Sequence, residues 1–284
     1  MPKAAWKVKM ILVREMKVLR SFVIILLILL LCGCGEHQLE RTKVVATTSL
    51  IGSIVRAIGA ERVELAVIVP SGMCPGHFDV KPSDVIKLSG AELILYHGWE
   101  RWIGKLISSS KARAVMMDVK GNWMAPDVHI KAAGKIADAL CNVDPKGCKL
   151  FKGNLKRYKD EIKSALGEME EKLSRLKGAK VICSKMQEGF LRWAGLKIVA
   201  TYGRPEELTT REMVRLVKLA REKKVKLFVD NLQSGPKAGL RMAEEVKAKH
   251  VTLTNFPLGE TRDSYIISLR ENVEKLVEAL GCGR

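Results

Sequence analysis

Residues 149–177 read KLFKGNLKRYKDEIKSALGEMEEKLSRLK, and this stretch decides the fold. It lacks proline, and apolar residues fall at Leu150, Phe151, Leu155, Tyr158, Ile162, Leu166, Met169, Leu173 and Leu176. After Phe151 the steps are all three or four. That spacing keeps one helical face apolar over about 27 residues, roughly 40 Å at 1.5 Å per residue. Gly178 is placed to end the helix. On both sides the pattern changes to short β-branched runs. Before the helix, 43–49, 63–69, 93–96 and 115–119 read as strands; after it, 181–183, 198–201, 225–230 and 251–254 do. Helices are expected between them, at 50–58, 83–89, 99–107, 132–140, 189–194, 211–223 and 238–247, and last at 263–280. Strands alternating with helices predict parallel sheets. The fold class is therefore α/β: two α/β lobes with parallel sheets, joined by one long rigid backbone helix, with a ligand cleft between them. A coiled-coil segment is the competing reading of 149–177, but a single stretch between two α/β halves suits a spanning helix better.

The 284 residues are 47% hydrophobic and 28% charged, which excludes a disordered chain, a collagen-like one and a small disulfide scaffold. The formal net charge is +18, so nucleic acid, an anionic membrane and an anionic ligand all enter as partners. The N-terminus narrows that choice. Phe22 to Leu31 is a run of ten apolar residues behind Lys17 and Arg20, shorter than the roughly 17–25 a membrane span needs. A basic start and a short apolar run make a secretory signal. It ends Leu31-Cys32-Gly33-Cys34, which resembles a lipobox and places cleavage after Gly33 and a lipid on Cys34. Met16 begins a signal of usual layout, so either Met1 or Met16 is the start. The expected organisation is a signal over 1–33, a first lobe over 34–148, the linking helix over 149–178 and a second lobe over 179–284. The mature chain then lies outside the cytoplasm, anchored to the outer face of the cell membrane through Cys34, with no nucleic acid as partner.

In an oxidising compartment cysteines pair. Cys141 and Cys148 enclose NVDPKG, whose Pro145 and Gly147 turn the chain, and this suits a local disulfide. Cys74, Cys183 and Cys282 are left over.

Several stretches resemble the zinc- and manganese-binding solute-binding lipoproteins of ABC transporters, the ZnuA/TroA-like group. They are VVATTSLIGSIV, VIVPSG with GHFDVKPSDVIKLSGAELILYHG, KIADALCNVDP, LFVDNLQSGPKAGLRMAEE and DSYIISLRENVEKLVEAL. The resemblance covers nearly the whole mature chain and implies the same two lobes and rigid helix. It implies a monomeric, non-enzymatic receptor that hands a transition metal ion to an ABC permease and ATPase, with no organic cofactor. It also implies four metal-ligand positions. His77 matches the first. Gly121, Ser184 and Asn255 fall at the others, and none is a strong ligand. If metal binds, Cys74 and Cys183 are the best replacement donors. With Met73, Met124 and Met186 they would form a soft set that suits Cu(I), or zinc if two thiolates take part. A Cys74–Cys183 disulfide is the alternative for the same residues. Asp230, at a strand end, is placed to accept an imidazole N–H. Lys81, Lys185 and Arg204 lie near the cleft motifs and make a non-metal, anionic solute or a structural surface role the second reading. His97 reads as a turn residue and His129 as a surface or packing residue. The chain has no G-x-S-x-G, H-E-x-x-H or G-x-x-x-x-G-K-[ST], which leaves no catalytic assignment.

Overall fold

A computed structural model describes residues 40–281 together with Arg20; the expected signal segment, Cys34 and Cys282 lie outside the described residues. Among the described residues no helix is long and apolar enough to cross a membrane.

The first sheet contains β1 (Thr42–Ala46), β2 (Val63–Val67), β3 (Leu93–Tyr96) and β4 (Arg113–Met116) in the order β2-β1-β3-β4, all parallel. Helices α1 (Ser49–Gly59), α2 (Pro82–Ser89), α3 (Ile103–Ser108) and α4 (Pro126–Val143) connect and follow its strands. Val44, Val45, Leu93, Ile94 and Leu95 are all buried, as strands covered on both faces require. The second sheet repeats the plan with β5 (Lys180–Ser184), β6 (Lys197–Tyr202), β7 (Leu227–Asn231) and β8 (Lys249–Leu253) in the order β6-β5-β7-β8. Its helices are α6 (Glu188–Trp193), α7 (Thr210–Lys223), α8 (Leu240–Glu245) and α9 (Ser264–Ala279).

Between the sheets runs α5 (Cys148–Leu176), one unbroken helix of 29 residues. Phe151, Asn154, Tyr158, Ile162, Ala165, Met169 and Leu176 form its buried face, and Gly178 takes φ +77 just past its end. One apolar core includes that face, α1 and α4 of the first lobe, and α9 of the second. The Cys141–Cys148 disulfide joins the end of α4 to the start of α5. In the turn between them Arg62 donates from Nε and Nη2 to the Asp144 carboxylate, 2.5 and 2.8 Å away. That guanidinium holds Asp144 below the usual carboxylate range.

Element edges differ from the sequence reading where side chains capture backbone groups. The segment 99–107 becomes helical only at Ile103. The buried Glu100 carboxylate turns the preceding chain by accepting the N–H groups of His97 and Gly98 and the Thr47 hydroxyl. The Cys74–Cys183 disulfide does not form. Both thiols are free, and Cys183 is sealed in the core of β5 while Cys74 lies on a surface loop.

The lobes and α5 meet at His129. Its Nδ1 donates to the Trp123 carbonyl at 3.1 Å, and its Nε2 accepts the Tyr158 hydroxyl at 2.8 Å. The ring stacks on Tyr265 of α9 at 3.4 Å between centroids, and the Tyr265 hydroxyl donates to the Met124 carbonyl. Burial pushes His129 down to about 3, so it is neutral in the folded chain. The unfolded chain protonates near 6.5, so this contribution to stability is complete above 6.5 and is lost as pH falls toward 3. Urea unfolding should show His129→Gln flattening the pH dependence by about 1.4 kcal/mol per pH unit between pH 6 and 4.5. An unchanged slope would contradict this placement of the imidazole.

Candidate functional site

In both sheets the chain leaves a central strand to opposite sides, between β1 and β3 and between β5 and β7. Open parallel sheets take ligands at such switch points, beyond the carboxyl ends of the strands. The loops at those ends line a cleft of about 860 Å³.

One wall is aromatic. Trp99 is half exposed and stacks on His97 with centroids 4.9 Å apart, and His97 meets Trp123 edge-on at 4.5 Å. The His97 Nε2 lies 2.9 Å from the Thr48 hydroxyl. Desolvation pushes His97 down to about 4 against the opposing pull of Glu100, so its imidazole is neutral near pH 7.

The loop before α2 carries Cys74 and a short turn, Pro75–His77, whose Pro75 carbonyl accepts from the Trp102 indole at 3.1 Å. Arg204, just past β6, lies over this turn. A Cβ on Gly76 would stand 2.8 Å from Arg204 Nη2, so the guanidinium tip lies directly against the turn. The Arg204 Nη1 is 3.1 Å from His77 Nε2. A guanidinium only donates, so in this contact His77 Nε2 accepts; the Glu206 carboxylate stands farther off, 3.5 Å from the same nitrogen.

Amides link the lobes across the cleft. Asn122 Nδ2 donates to Asn255 Oδ1 at 2.7 Å and to the Met186 carbonyl at 2.9 Å, while its Oδ1 accepts the Met124 N–H. Gln233 Nε2 donates to the Ser71 carbonyl and to Thr254 Oγ1, both at 2.9 Å, and its Oε1 accepts the Asn255 N–H.

The structure therefore brings His77, Cys74, Met186, Arg204, Gly121 and Asn255 to one cleft. Other expected donors do not arrive. Cys183 is fully buried among apolar neighbours, and burial pushes its thiol up to about 12. Met124 is fully buried, and Met73 and Lys81 border a separate, smaller hollow. Ser184 is buried and its hydroxyl accepts the Met186 N–H. Asp230 does accept an imidazole N–H, but from His250 at 2.6 Å, beside Tyr202 and the Gly239 N–H. Among the described residues no group of three or more His, Cys, Asp or Glu could hold a metal ion. Sequence reasoning missed Asn122, Gln233 and the pairing of His97 with Trp99. Only the position of His97 and Trp99 just after a central strand signals their role.

Two parallel-sheet lobes, one rigid helix and a cleft at the strand ends define a solute-binding receptor of the rigid-helix type. The chain belongs to the family described as ZnuA, zinc-uptake complex component A, periplasmic, which matches residues 44–279. It is similar to the manganese ABC transporter substrate-binding lipoprotein PsaA of Streptococcus mitis, 27% identical over 91% of this chain and 97% of that protein. The metal ABC transporter substrate-binding lipoprotein ScbA of Streptococcus cristatus is 28% identical over 93% and 99%. A solved periplasmic metal binding protein from Candidatus Liberibacter asiaticus shares the fold with TM-score 0.75 and 19% identity, over 84% of this chain and all of that one. A ZnuA crystal structure gives TM-score 0.74 and 20% identity.

Asn122→Ala removes both cross-cleft donations and leaves the Asn255 carboxamide oxygen without that donor. Chemical denaturation should show a loss of about 1–2 kcal/mol. A variant as stable as the parent would mean the Asn122 bridge adds nothing.

Proposed function

We propose that this chain is the extracytoplasmic solute-binding component of an ABC importer and captures a transition metal, zinc or manganese, between its two lobes. The observation that carries the reading is the cleft itself. Two sheets turn their switch points toward it, and it lies within a chain whose family membership spans nearly all the described residues. Zinc follows from the family's description and manganese from the curated relatives. The nitrogen and sulfur donors that line the cleft, His77, Cys74 and Met186, lean toward zinc or a softer ion over manganese. The permease and ATPase of the importer are the partners that receive the solute. A lipid on Cys34 holds the receptor, acting as a monomer, at the outer face of the membrane. Capture and release of a solute require no covalent step on it.

Uptake of labelled zinc and manganese by cells tests this. Deleting the gene should lower high-affinity uptake of one of the two several-fold. The intact chain should restore it, and Cys34→Ala should not. Unchanged uptake of both metals in the deletion strain would overturn the reading.

A further inference from the structure

The cleft is a poor receptor for a bare cation. Arg101, Lys120 and Arg204 line it against one lining carboxylate, Asp118, with a second, Glu206, 3.5 Å from the lining His77. Among the described residues none of these three cations is ion-paired, and the Arg204 guanidinium lies against His77 and Gly76 of the cleft wall. A divalent ion entering alone meets like charge. It would also find too few donors, since a zinc site takes about four strong ones. The His77 Nε2 lone pair already accepts from Arg204, and the Asn255 carboxamide oxygen already accepts from Asn122. Cys74, His97, Asp118 and Met186 also line the cleft, but among the described residues no three His, Cys, Asp or Glu are grouped to hold an ion.

The same lining suits a larger, negatively charged guest. A volume of about 860 Å³ falls in the range that holds small organic molecules, roughly 300–1,000 Å³, and far exceeds a single ion. Guanidinium groups recognise carboxylates through paired N–H donors, and Arg204 needs only to exchange His77 for a carboxylate oxygen to do so. Trp99 offers a half-exposed indole face, held by its stack on His97, against which the apolar part of an organic ligand can lie.

We propose that the cleft takes its metal as an anionic complex, already enclosed by carboxylate oxygens of a small organic chelator, rather than as a bare ion. This rests on the metal-capture reading above. The chelator supplies the ligands that the chain does not, and its surplus negative charge meets Arg204, Arg101 and Lys120.

Equilibrium dialysis of the metal-stripped full chain in detergent tests the proposal. The probes are zinc and manganese chloride, citrate and nitrilotriacetate alone, and the metal complexes of each chelator, with metal and chelator separately labelled. The proposal expects metal and chelator retained one to one. Retention should be at least tenfold tighter than for either bare ion or either free chelator, and weaker at high salt. Arg204→Gln and, separately, Trp99→Ala should each weaken retention of the complex at least fivefold, with circular dichroism like the parent. Tight retention of bare metal that Arg204→Gln leaves unchanged would overturn the proposal and leave metal capture standing. Retention of free chelator as tight as that of the complex would overturn the proposal in favour of an organic anion. Failure to retain metal in any form would overturn both readings.

Discussion

Everything in this molecule is referred to the buried face of α5. A helix of 29 residues fixes the distance between two sheets only if its apolar face stays in register along its length, and the three-and-four spacing from Phe151 to Leu176 does that. Both ends are tied. The Cys141–Cys148 disulfide and the Arg62–Asp144 pair hold the entry, and Gly178 closes the exit. At mid-helix Tyr158 reaches His129 of the first lobe, and His129 stacks on Tyr265 of the second. A buried imidazole with both nitrogens bonded is costly to disturb, because either lost partner strands a polar atom away from water. The lobes therefore share one core, and their strand ends face each other at a separation the helix sets.

That separation governs the chemistry of the cleft. Loops from two lobes that approach this closely must satisfy one another's polar groups, and here amides do it: Asn122 with Asn255 and Met186, Gln233 with Ser71. Three of the four positions that the family resemblance assigns to metal ligands hold Gly121, Ser184 and Asn255. Asn255 is drawn into hydrogen bonds between the lobes, and His77, at the remaining position, is capped by Arg204. What remains open is a space edged by an indole and by more cations than carboxylates among the described residues, which favours charge of the opposite sign.

The alternation of β-branched runs with helical periods, and the continuous face of 149–177, were enough to read both sheets and the helix between them. They work because a strand covered on both faces tends to a short β-branched run that lacks the three-and-four spacing of an amphipathic helix. The local disulfide was legible for a similar reason, since a short turn holds its two cysteines together. The cleft was less so. His77 and Arg204 could be named from their place in the chain, but their contact joins residues 127 apart. Cys183 looked like a donor by position. A strand residue alternates faces, and only the observed register turns its sulfur into the core. Asn122 has no signature at all, because a carboxamide in a loop reads as a turn residue until its partner across the cleft is known.

The central claim is that side chains, and not a bare metal ion, bridge the lobes. The direct measurement is the distance between spin labels on exposed positions, Ile86 in the first lobe and Val214 in the second, with Cys74 changed to serine. By this account the chelator-treated chain gives one narrow distribution that added zinc or manganese chloride leaves in place, and Asn122→Ala broadens it. A wild-type distribution that is broad without metal and narrows when a bare ion is added would contradict the account.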